Sequence, residues 1–139
     1  RDPATTGVVI VSTAEEMPVT ETIELIDNLH AQTDIDVAAV VANRVLPELY
    51  GRGEEEVFDR VATPEGRAAL QEAAGKRAPL LVDAAELAMN LRRSRAEHLS
   101  RLRSNLPDDL PLLILPELFG PTHGVRTTRL VAELLGEEI

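Results

Sequence analysis

The chain has 139 residues, a length that suits one domain with a core of its own, and 14 basic against 24 acidic residues leave a formal charge of −10. That acidic balance, with aromatics at 2% (Tyr50, Phe58, Phe119), argues against a nucleic-acid partner, because phosphates would be repelled and bases would find no stacking platform. Cysteine is absent, which removes disulfides, thiolate zinc sites and cysteine nucleophiles together.

At 44% hydrophobic and 27% charged the composition is globular, and no run approaches the ~18 apolar residues of a membrane span. The chain opens Arg1-Asp2-Pro3-Ala4, without methionine or a basic-then-apolar lead. It therefore reads as part of a longer, cytoplasmic protein entered in mid-loop.

Residues 7–13, 37–43 and 110–116 read as strands. Each is a near-continuous apolar run rather than an alternating one, which predicts a parallel sheet covered on both faces. Between the first two, residues 18–32 carry Val19, Ile23, Ile26 and Leu29 at helical spacing, with Glu21, Glu24 and Asp27 on the other face. Strand, helix and strand in ~35 residues make a βαβ unit. Glu54-Glu55-Glu56 predicts a helix start, and Pro64-Glu65-Gly66 breaks that helix and opens another through Ala73. From Pro79 a longer helix runs to Asn105, with Ala84, Leu87, Ala88, Leu91, His98, Leu99 and Leu102 as its inner stripe. After Gly120-Pro121 a last helix is predicted over residues 123–135, with Val125, Leu130, Val131 and Leu134 inward. The fold class is α/β, a three-layer parallel sheet flanked by helices.

In an open parallel sheet, ligands bind beyond the carboxyl ends of the strands. That rule selects Ser12-Thr13-Ala14-Glu15, Asn43-Arg44 and Pro116-Glu117-Leu118-Phe119. Phosphate-binding loops are missing: Gly51-Arg52-Gly53 meets Glu56 where a dinucleotide fingerprint needs glycine, and Gly75-Lys76 has Leu70 in place of the first P-loop glycine. The Asn43 carboxamide sets a donor beside an acceptor, which matches the edge of adenine, while a strand-ending asparagine that bonds the turn backbone uses the same groups. Arg44 would flank a base or a phosphate, or pair with a surface acid. The apolar loop after the third strand would wall a flat base, or plug the end of the sheet. Arg92, Arg93, Arg95, Arg101 and Arg103 make one basic helix, a solvated face or a dock for an acidic partner. His30, His98 and His123 have no metal-ligand spacing.

In order along the chain, Arg1-Asp2-Pro3-Ala4-Thr5-Thr6 before a strand, Glu15, Glu21-Thr22, Val40-Val41-Ala42-Asn43-Arg44-Val45-Leu46-Pro47 and Leu112–Pro116 with Glu117-Leu118-Phe119-Gly120 resemble the second half of the arsenite/anion-transporting (ArsA-like) ATPase family. The resemblance implies a partial P-loop NTPase fold of the SIMIBI type, whose missing N-terminal half carries the phosphate loop, the magnesium-binding aspartate and the switch regions. It implies that residues 1–139 are the C-terminal half of such a domain. It also implies that Asn43 contacts adenine, with Arg44 beside it and Pro116, Glu117 and Leu118 packed against the base. ATP and Mg2+ would be used by the intact parent, a homo- or heterodimer, and neither would bind this half tightly. The paired-cysteine zinc motif of the family's targeting branch is missing from residues 50–67. The other reading is a non-catalytic α/β interaction domain that kept the fold and lost the chemistry.

Overall fold

In the computed structural model, which describes residues 5–48, 51–119 and 124–138, the three apolar runs form one sheet. Its strands are β1 (Gly7–Thr13), β2 (Asp36–Val45) and β3 (Leu112–Pro116), in the order β1-β2-β3, and both pairs are parallel. In chain order the helices are α1 (Glu16–Gln32), α2 (Arg52–Ala62), α3 (Pro64–Ala74), α4 (Ala78–Asn105) and α5 (Val125–Glu138). The predicted Arg1–Ala4 lead, Tyr50, the Gly120-Pro121 break and His123 lie outside the described residues. Two compact units are formed, one by the residues up to Pro47 with those from Ser94 onward, the other by Glu48–Arg93.

The first unit holds the sheet. Its core joins Ile10 of β1, Val37 and Val40 of β2, Val19 and Ile26 of α1, Leu102 of α4, and Leu106 and Leu110 beyond it. Val19, Val40 and Leu102 are completely buried, each worth ~1.5–3 kcal/mol of transfer free energy. Val37 and Val40 stand three apart on one strand and yet share this core. An extra residue in β2 resolves the parity: Val8 pairs Val37 while Val9 pairs Ala39, so Ala38 is bulged and the alternation restarts. Ile23 and Leu29 of α1 pack against this core as their spacing predicts, and Thr22 is buried beside them.

The second face of the sheet is covered unevenly. On β3, Leu115 is buried, and α5 turns Thr127, Val131 and Leu134 toward it. On β1, Val9 and Val11 stay 56% and 63% exposed, so this strand is covered on one face only. Among the described residues β1 and β3 are also the two edges of the sheet.

Several predicted positions shift. Residues 110–111 precede β3: Leu110 is buried in a turn closed by its N–H to the Pro107 carbonyl, though the Pro111 carbonyl already accepts from the Val40 N–H. α5 leaves Val125 and Leu130 exposed, because the face three and four residues apart at Thr127, Val131 and Leu134 meets the sheet instead.

In the second unit, α2 starts where the Gly51 N–H donates to the Glu54 carboxylate at 2.9 Å. The α2–α3 junction is tight. Thr63 caps α3 by accepting from the Gly66 N–H, and a Cβ at Gly66 would collide with the Arg60 carbonyl. Arg67 pairs with both Asp83 and Glu86. Here α4 buries Ala78, Val82 and Met89, whereas the predicted Leu87 and Leu91 are exposed and Ala84 lies with them on the outer side.

The open β1 surface has a direct consequence. The 139-residue chain is expected to self-associate with rising concentration in sedimentation, since an exposed apolar strand beside a free edge is a pairing template. Replacing Val9 and Val11 together by lysine should return it to monomer at a stability change within about 1 kcal/mol. A monomeric unsubstituted chain at high concentration contradicts this.

Candidate functional site

Because all three strands are parallel, Thr13, Val45 and Pro116 end at one edge of the sheet, where the ligand rule placed the site. There β2 departs from regular pairing. Ala42 pairs Ile114 and Val45 pairs Pro116, so residues 43–44 on β2 stand opposite one residue of β3. The extra residue is accommodated at Arg44, whose φ of 59° lies in the left-handed region. Few residues other than glycine, asparagine and aspartate hold that conformation, and such strain clusters where geometry is functionally constrained.

Three interactions hold the bulge in place. The Arg44 N–H donates to Asn43 Oδ1 at 3.0 Å. The Arg44 guanidinium donates through Nε to Glu117 Oε2 at 2.7 Å, linking positions 73 residues apart. The Glu117 N–H then donates to the Val45 carbonyl at 2.8 Å, which pins the post-strand loop to the end of β2. Glu117 raises the Arg44 pKa above its ordinary value, through the hydrogen bond first and the charge second, with desolvation opposing. Arg44 is therefore a permanent cation here. Its side chain is 64% exposed, so the pair contributes little to stability and its main effect is to fix position.

All five predicted site residues line one cavity of about 380 Å³: Asn43, Arg44, Pro116, Glu117 and Leu118. The remaining walls are Leu115, Thr127, Val131 and Leu134. The α5 residues at 127, 131 and 134 were not predicted as part of a site. Val131 and Leu134 read as core, together with Val125 and Leu130, and Thr127 at i, i+4, i+7 spacing from them was not singled out. Phe119 is 75% exposed and does not line the cavity, so the wall of the loop ends at Leu118. Asn43 is half-buried and, among the described residues, its Nδ2 donates to no protein group. The cavity thus offers an amide donor, an acceptor with a spare lone pair, and apolar walls.

Asn43 also borders a second hollow of about 390 Å³, with Ser12, Thr13, Glu21 and Thr22 among its walls. This places the Ser12-Thr13 strand end beside Asn43, in agreement with the Thr13–Asn43 register, while Ala14 is buried. The basic helix is partly spent on the protein's own acids: Arg92 pairs with Glu48 and Arg95 with Glu15. Among the described residues no group of three or more His, Cys, Asp or Glu side chains could hold a metal ion, and no helix is long and apolar enough to cross a membrane.

Compared with known families, residues 1–65 match the family model described as anion-transporting ATPase. The match takes in β1, α1, β2 and α2, including Asn43 and Arg44, and supports an ATP-binding, ATPase-type likeness for that stretch. No curated protein matches the chain.

The strained bulge makes a thermal test. Arg44→Gly should hold or raise the melting temperature, because glycine accepts positive φ freely. Arg44→Val should lower it by roughly 2–8 °C, because a branched Cβ is worst in that conformation. Equal melting of the two variants contradicts a left-handed residue at 44.

Proposed function

We propose that this chain is the nucleotide-base half of an ATPase of the anion-transporting type, and that its strand-end cavity takes the adenine ring of ATP. One observation carries the reading. Asn43 and Arg44 from β2 and Pro116, Glu117 and Leu118 after β3, distant in sequence, line one cavity at the carboxyl ends of parallel strands. The family match over residues 1–65 supports it independently.

On this reading Asn43 reads the base edge through its free Nδ2 and its Oδ1, and Leu118, Val131 and Leu134 supply the apolar contact. Phosphoryl transfer needs a phosphate cradle and a metal-held charge clamp. The reading assigns both parts to an N-terminal half, whose strands would cover the free edge of β1 and the surface at Val9 and Val11. The proposal further takes the assembled ATPase to be cytoplasmic and a homo- or heterodimer.

Two measurements test it. The 139-residue chain alone should release no phosphate from ATP, and turnover by it would show the cradle to be misassigned. In the intact ATPase, Asn43→Ala should raise the KM for ATP about 10- to 100-fold with kcat little changed, because hydrogen bonds to a base far from the γ-phosphate are uniform binding, worth ~1–3 kcal/mol. Unchanged ATP affinity in a folded Asn43→Ala protein, with only its melting temperature lowered, would return Asn43 to a turn-capping role.

A further inference from the structure

We infer that Arg44 sets the base preference of this cavity by holding the Glu117 carboxylate in an ion pair, which disfavours guanine and leaves adenine as the purine that fits. The inference rests on the cavity being a base site and specifies how that site discriminates.

The two purines differ in what they present. Adenine offers an amino donor at N6 beside the N7 acceptor, whereas guanine offers an O6 acceptor beside N7 and adjacent donors at N1 and the 2-amino group. A carboxylate near the base therefore selects guanine, because its two oxygens accept from those two donors in parallel. Glu117 is the one acidic residue lining the cavity among the described residues, and its side chain is only 16% exposed. Left unpaired, it would pull the site toward guanine. Instead Oε2 is taken by the Arg44 Nε at 2.7 Å, which occupies one of the two oxygens and neutralises the charge.

Arg44 acts a second time through its backbone. Its N–H donates to Asn43 Oδ1, so the carboxamide cannot flip without setting its own NH2 group against that N–H. The amide oxygen is thereby held as an acceptor, which suits the adenine N6 amino group and opposes guanine O6. The two effects meet at the bulge: the Arg44 N–H holds the Asn43 carboxamide, and with positive φ at Arg44 its guanidinium reaches Glu117. Arg44 is a positioning residue, acting through its two neighbours.

The test titrates AMP and GMP into the 139-residue chain and follows the methyl resonances of Leu118, Val131 and Leu134. The unsubstituted chain should prefer AMP. Arg44→Gln keeps the backbone N–H and frees the carboxylate, so the GMP-to-AMP affinity ratio should rise about tenfold or more. Arg44→Gln/Glu117→Gln should abolish that rise, and Arg44→Lys, which retains a cation, should keep the original preference. Arg44→Met frees the same carboxylate with an unbranched side chain and should raise the ratio in the same way, which keeps the inference testable if Arg44→Gln does not fold. An unchanged ratio in folded Arg44→Gln or Arg44→Met, or a rise that persists in the double variant, overturns the inference while AMP binding stands. Binding of neither nucleotide to the unsubstituted chain overturns the base-site reading itself, and the inference with it.

Discussion

One additional residue in β2, accommodated by positive φ at Arg44, decides the layout of the strand ends. Without it, Asn43 and Arg44 would continue the alternation of a regular strand and point to opposite faces of the sheet. With it, the Arg44 guanidinium meets Glu117, which is in turn tied by its N–H to Val45, while the Arg44 N–H donates to the Asn43 carboxamide. These short links join β2 to the loop after β3 and close two sides of the cavity. A left-handed arginine is unfavourable alone, so the three interactions have to offset its strain together.

The sheet behind this site is well anchored on one face only. Val19, Val40 and Leu102 are sealed between sheet and helices, while Val9 and Val11 face outward with the free edge of β1 beside them. The burial difference is an energetic asymmetry: the first face supplies the hydrophobic free energy that holds the strands in register, and the second leaves part of the available burial unused. A strand that is apolar on both faces gains from burial on both, and half of that gain remains open at β1.

The sequence revealed the strands and their parallel pairing because continuous apolar runs of strand length, separated by an amphipathic helix, admit few other arrangements. Residues 7–13 matched β1 from end to end. Its limits were of two kinds. On α4, leucines occupy several faces (Leu80, Leu81, Leu87 and Leu91 are all exposed), so periodicity alone could not choose the stripe through Val82 and Met89. In β2, the bulges at Ala38 and Arg44 carry no glycine to announce them, and each shifts the alternation by one residue. The site was legible as residue types at strand ends: Asn43, Arg44, Pro116, Glu117 and Leu118 do converge on one cavity. The Arg44–Glu117 pair was not legible, since nothing in the sequence links positions 73 apart. The third wall, from α5, was hidden because a helix stripe that lines a cavity and one that fills a core share the same spacing.

A larger hollow of about 820 Å³ lies elsewhere in the first unit, between α4 and β3, with Leu99, Leu112 and Ile114 among its walls. It contains no asparagine and lies away from the carboxyl ends of the strands. The most direct measurement of the central claim is therefore where adenine sits. Transferred nuclear Overhauser effects from the H2 and H8 protons of adenosine to the methyls of Leu118, Val131 and Leu134 are the predicted result. Effects to the methyls of Leu99, Leu112 or Ile114 instead, or to none of these residues, would contradict it.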